Sequence, residues 1–136
     1  MDPVVHFEMP CDDRRRITRF YEDAFGWNTE QLGEEMGHYV LVHTVESDRR
    51  GPLKPGAING GFYGRRTDMP DTGPSVVIAV QEIGRAMKRV DEAGGRVLGE
   101  PAEIPGVGRY VAFIDTEGNR LAMLEPDPAD CAAADI

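Results

Sequence analysis

Cysteine is scarce in this chain of 136 residues: Cys11 follows an apolar stretch near the start, and Cys131 sits in the tail. Two thiols so placed make neither a disulfide framework nor a CxxC pair, and both are expected to be unpaired. Long apolar runs are also absent, for nothing in the sequence approaches the roughly 20 residues that cross a bilayer as a helix. The start, MDPVVHFEMP, lacks the basic residues and apolar core of a secretion signal, so a cytoplasmic protein is expected. Positive charge is in deficit, with 15 Lys and Arg against 24 Asp and Glu and a formal net charge of -9. A surface of that sign repels phosphate backbones and anionic lipid, which excludes nucleic acid and membranes as expected partners. The run DDRRRITR does not change this, because Arg14 to Arg16 and Arg19 are flanked by acids and read as a solvated helix face.

What is present is apolar patterning sufficient for one domain with a core. From Val4 to Met9 the residues alternate, placing Val5, Phe7 and Met9 on one face and His6 and Glu8 on the other. Asp12 or Asp13 then caps a helix whose apolar stripe is Ile17, Phe20, Tyr21, Ala24 and Phe25, with Gly26 as its stop. A weak strand near Trp27 and two more, HYVLVHTVE (38–46) and GAINGGFYG (56–64), complete a βαβββ module over about 4–64. A polar linker at 65–73 follows. The order then repeats over about 74–126: SVVIAV, a helix carrying Ile83, Ala86, Met87 and Val90, and three strands, the last two joined by a Glu-Gly-Asn turn. A shift of 69 positions lays His6 on Ser75 and Gly26 on Gly95, so the chain reads as an internal duplication. The tail, 127–136, has no periodicity and is expected to fray. The fold class is α+β, a single domain of two tandem modules.

Within this frame a few residues invite chemistry. His6 titrates near neutrality and suits a general base or a hydrogen-bond partner for substrate, against a structural role lining a cavity. Glu8, on the same face, is its natural companion as a carboxylate for proton transfer, against a solvated acid at a rim. Asn59 stands between Ile58 and the pair Gly60-Gly61; it is either a bulge residue or an amide facing a ligand carbonyl. By alternation Ser75 and Val77 belong to the face opposite Val76, Ile78 and Val80, and so to the ligand side with His6, Glu8 and Asn59. Trp27 either seals the helix on the sheet or stacks on a planar ligand. PGVGRYV has two glycines but no following helix, which makes it a hairpin at a cavity rim rather than a phosphate loop; Arg109 and Tyr110 beside it are candidate contacts for an anionic or aromatic ligand.

The doubled βαβββ pattern, with HFEMPCDD, FYEDAFGW, GAINGGFYG, AGGRV and EIPGVGRYVAFIDTEGNRLAMLE, resembles the vicinal oxygen chelate superfamily, in particular its glyoxalase-like branch. The resemblance covers roughly Val4 to Glu125. It implies the glyoxalase/bleomycin resistance fold, with paired curved sheets around a cavity, a small-molecule ligand or substrate, and a homodimer, to which open strand edges also point. It further implies four metal-ligand positions. His6 fills the first, but the others fall on Asn59 or Gly60, on Ser75 and on Ala122, which offer no imidazole or carboxylate. Glu125, three residues past Ala122, lies on the opposite face of its strand. One ligand does not define a zinc-type site, so no metal cofactor is expected, with a weak divalent site at His6 and Glu8 as the alternative. Two functions follow: a binder of a small organic molecule, or a glyoxalase-type lyase or isomerase, metal-dependent or metal-free, in which His6 or Glu8 moves a proton from a carbonyl metabolite.

Overall fold

The computed structural model describes residues 1–68 and 72–128; part of the linker and Cys131, with most of the expected tail, lie outside the described residues. The chain divides into two compact units, His6–Pro74 and residues 75 onward joined by Met1–Val5. The first contains β1 (Val4–Cys11, from His6), α1 (Arg14–Phe25), β2 (Asn28–Gln31), β3 (Val40–His43), the two-residue strands β4 (Ser47–Asp48) and β5 (Gly51–Pro52), and β6 (Asn59–Gly64). The second contains β7 (Ser75–Ala79), α2 (Ile83–Glu92), β8 (Arg96–Ile104), β9 (Gly108–Ile114) and β10 (Arg120–Pro126). Each is βαβββ, the first with a β4–β5 ribbon inserted between β3 and β6.

The strand pairings follow the same plan in both units. In the first, β1 runs parallel to β6, which pairs antiparallel with β3, and β3 with β2. In the second, β7 runs parallel to β10, which pairs antiparallel with β9, and β9 with β8. The parallel contact follows from the crossover, because a helix carries the chain over one sheet face before it returns beside its first strand.

In the first unit, α1 begins where the Asp13 carboxylate accepts from the amides of Arg15 and Arg16, meeting donors that have no partner within the helix. It ends at Gly26, whose φ of 72° a side chain rarely adopts. Its inner face carries Ile17, Thr18 and Tyr21 over a core of Val40, Val42, Phe62 and Cys11, with Phe7, Met9 and Trp27 packed against it. Burying each of the larger side chains contributes about 1.5–3 kcal/mol. The apolar stripe read from the sequence is too broad: Ala24 is exposed, Phe20 and Phe25 are 56% and 64% exposed, and Thr18, outside the stripe, is buried.

In the second unit, Ile83, Ala86, Met87 and Val90 of α2 meet Ile78, Val80, Val111, Phe113 and Met123, as their spacing predicts. The helix entry is held by two carboxylates. Glu82 accepts from the amides of Gly84 and Arg85, and Glu125 from that of Ile83 at 2.9 Å. The left-handed residue after α2 is Gly94, at φ 101°, one before the expected Gly95. Gly95 is instead selected by space, since a Cβ there would stand 2.8 Å from the Ile114 carbonyl oxygen. Residues 1–5 join this unit through the Pro3 carbonyl, which accepts from Ala79, and through an ion pair between Asp2 and Arg89.

Candidate functional site

His6 and Glu8 alternate with Phe7 and Met9 along β1 and therefore occupy the sheet face away from α1. The β1–β6 register sets His6 beside Asn59, Phe7 beside Gly60 and Glu8 beside Gly61. The two glycines make room for two rings on opposite faces. A Cβ on Gly60 would run into the Phe7 ring, and one on Gly61 into the Tyr39 ring. The glycine pair is neither a turn nor a bulge, since both residues pair in regular register; it seats side chains.

Tyr39 is delivered there by the β2–β3 hairpin. Arg14, at the first position of α1, donates to the carbonyl oxygens of Leu32 and His38 at 3.1 and 3.0 Å, and the Leu32 amide donates to Tyr39 at 2.8 Å. Arg14 is thus a tether for this hairpin and not part of a solvated face. The Tyr39 hydroxyl lies 2.9 Å from His6 Nε2 and donates to Glu8 Oε2 at 3.4 Å. His6, Tyr39 and Glu8 form one polar line, all three half-buried. Burial lowers the His6 pKa from 6.5, and the negative charge of Glu8 opposes that shift without cancelling it, so the ring is neutral at pH 7.

The other residues singled out from the sequence have different duties. Asn59 shares the face of His6, but its Oδ1 accepts from the Thr44 amide at 2.9 Å and its Nδ2 donates to Ser47 Oγ at 2.8 Å, so the amide ties down the loop after β3. Trp27 stacks on Tyr21 with ring centroids 4.7 Å apart and packs beside Phe7, on the helix side of the sheet. It seals α1 rather than joining His6. In the second unit Ser75 donates to the Arg120 carbonyl at 2.9 Å, and Val77 is buried beside Ala122 in the register of β7 and β10. Arg109 and Tyr110 lie on opposite faces of β9. Arg109 alternates with Val111 and Phe113 on the α2 side, between its register partners Glu103 and Glu125, whereas Tyr110 is on the other face beside Leu124. Two surface concavities, of about 370 Å³ at Glu82 and Arg85 and about 400 Å³ at Arg19 and Phe20, lie on outer helix faces; neither is lined by His6, Tyr39 or Glu8. Hydrogen-bonding chemistry, not enclosed volume, marks the candidate site.

A divalent ion does not fit these donors. The Asn59 oxygen already accepts from Thr44, Gly60 and Ala122 have no side-chain ligand atom, Ser75 is tied to Arg120, and Glu125 caps α2. The phenol of Tyr39 stands between His6 and Glu8, the remaining candidate pair among the described residues. Among the described residues no group of three His, Cys, Asp or Glu side chains is gathered. No helix among them is long and apolar enough to cross a membrane.

Residues 4–123 match the model of the Glyoxalase/Bleomycin resistance protein/Dioxygenase superfamily. The chain belongs to that superfamily. A glyoxylase-like domain-containing protein of Didymella fabae is 27% identical over 121 residues, spanning 88% of this chain and 91% of the relative. A putative glyoxylase of Mycobacterium bovis, CFP32, is 38% identical over 53 residues, 39% of this chain and 20% of that protein. Methylmalonyl-CoA epimerase from Mycobacterium tuberculosis shares the fold, with a TM-score of 0.66 at 16% identity over 95% of this chain and 91% of its own. The glyoxalase fold inferred from the doubled motif is therefore the fold of the chain.

The superfamily position at His6 is neutral and desolvated here, and this has a consequence for stability. Its folded pKa lies below the unfolded value of 6.5, so the unfolded chain binds more protons at acid pH. The His6 contribution is complete above pH 6.5 and declines as the pH falls below it. Urea midpoints measured between pH 7.5 and 5 are expected to fall more steeply for the native chain than for His6→Gln; parallel curves would contradict a buried neutral ring.

Proposed function

We propose that this glyoxalase-superfamily protein binds a small organic molecule on the sheet face that carries His6, Tyr39 and Glu8, without a divalent metal. The observation that carries the proposal is the His6–Tyr39–Glu8 line, a few polar groups half-buried on one face beside apolar strand residues, the mixture typical of small-molecule sites. The donor mismatch described above supports the metal-free form. A second reading, a lyase or isomerase that moves a proton on a carbonyl metabolite, draws support from the neutral imidazole, since an uncharged ring is the form that accepts a proton. The proposal keeps the protein cytoplasmic, where the free, buried Cys11 thiol suits a reducing compartment. Mass spectrometry of metabolites extracted from the purified protein, with elemental analysis, is expected to find a copurified organic molecule that is lost in His6→Ala, and no stoichiometric zinc, nickel or iron. Near-unit metal that survives dialysis and disappears in His6→Ala would contradict the proposal.

The homodimer implied by the resemblance belongs to the same proposal. On the outer side of α1, Phe20 and Phe25 are exposed with ring centroids 6.4 Å apart, and Arg16, Arg19 and Asp23 surround Phe20. An aromatic centre flanked by arginine and a carboxylate suits an interface between two identical helices, in which each arginine meets the other copy's acid. Sedimentation at micromolar concentration is expected to give a dimer that Phe20→Asp weakens at least tenfold. A native chain that sediments only as monomer would contradict this.

A further inference from the structure

We propose that Tyr39 and Glu8 hold His6 as its Nε2–H tautomer, so that Nδ1 presents a lone pair and the site selects a ligand group that donates a hydrogen bond: a hydroxyl, an amide N–H or an acidic C–H. For the ligand this rests on the binding function proposed above; the tautomer stands independently of it.

The argument is one of proton counting along a line. A phenol has one proton and an ionised carboxylate has none to give. The Tyr39 hydroxyl donates to Glu8 Oε2, the charged end of the line, where a hydrogen bond is strengthened by the charge. Its oxygen is then left only with acceptor capacity toward His6 Nε2, 2.9 Å away. That contact forms when Nε2 carries the ring proton. A neutral imidazole has a single N–H, and this contact places it on Nε2. Nδ1 is therefore an acceptor, and no hydrogen bond to it is formed among the described residues.

The orientation of the line is also fixed sterically. The His6 and Tyr39 rings lie within 17° of parallel with centroids 6.5 Å apart, and the Tyr39 ring fills the space that a Cβ on Gly61 would take. Tyr39 is thus a positioning residue that sets which nitrogen of His6 faces a ligand. The Glu8 charge reinforces the selection, because a ligand carboxylate at this place would meet both a lone pair and a nearby negative charge.

Long-range proton–nitrogen NMR spectra of the full chain, labelled at its 3 histidines and assigned with His6→Gln, report which ring nitrogen carries the proton. The expected result at pH 7.5 is His6 protonated at Nε2, with Glu8→Gln and Tyr39→Phe each shifting it toward a tautomer mixture. Titration with phenol is expected to move the His6 Nδ1 resonance, whereas anisole, the same ring without the donor, leaves it in place. A native ring protonated at Nδ1, or a tautomer unmoved in both variants, would overturn the inference; if Tyr39→Phe fails to fold, the native spectrum and Glu8→Gln decide it. Equal responses to phenol and anisole, or none to either, would overturn the ligand class while the extraction experiment above continues to test the binding function.

Discussion

The side chain missing at Gly61 is the constraint on which the site depends. The Tyr39 ring lies where a Cβ at 61 would be, and only from that seat does its hydroxyl reach both His6 and Glu8. The neighbouring Gly60 does the same on the other face, admitting Phe7 to the cluster of Tyr21, Trp27 and Phe62 beneath α1. Two adjacent glycines thus let one strand serve a core on one side and polar chemistry on the other. Glycine in a strand interior costs backbone entropy and packing; here both places are filled by aromatic rings, Phe7 from β1 and Tyr39 from just before β3.

Around that seat, opposing effects are ordered by size. Burial disfavours the charged imidazole and the Glu8 carboxylate favours it, and burial is the larger effect. The phenol between them makes this arrangement tolerable, since it gives both polar groups a partner without placing a cation in a half-apolar setting. The same residues set the donors on this face apart from the metal-ligand positions that the resemblance implies. His6 Nε2 is directed to a hydroxyl, Asn59 makes a loop tie within its own unit, and Ser75 makes a strand tie within the other.

Much of the fold was legible because it depends on period. Alternation along β1 separated His6 and Glu8 from Phe7 and Met9, and the 3.6-residue spacing of Ile83, Ala86, Met87 and Val90 identified the buried face of α2. Helix periodicity was less decisive in α1, where Phe20 and Phe25 match the apolar stripe yet Thr18 is the residue that is buried. The site was only half legible. His6 and Glu8 are two residues apart on one strand, so their shared face follows from the sequence, but Tyr39 lies 33 positions from His6 and meets it through a register that no local pattern specifies. One signal was available: a glycine pair within a strand, with a tyrosine just before the neighbouring strand β3, marks a place where a ring can lie across a neighbouring backbone. Asn59, Trp27 and Arg109 were singled out by residue type, whereas the cross-strand and loop partners that determine what each one touches have no local signature.

The central claim is that the Gly61 seat positions Tyr39, and a double-mutant cycle tests it most directly. Stability by urea denaturation would be measured for Gly61→Ala in the native chain and in the Tyr39→Ala background. A Cβ forced against the ring is expected to cost about 1–3 kcal/mol in the first case and less than about 0.5 kcal/mol in the second, giving a coupling of the size seen for residues in direct contact. Equal costs in the two backgrounds would contradict the seat, and with it the account of how His6 and Glu8 are joined.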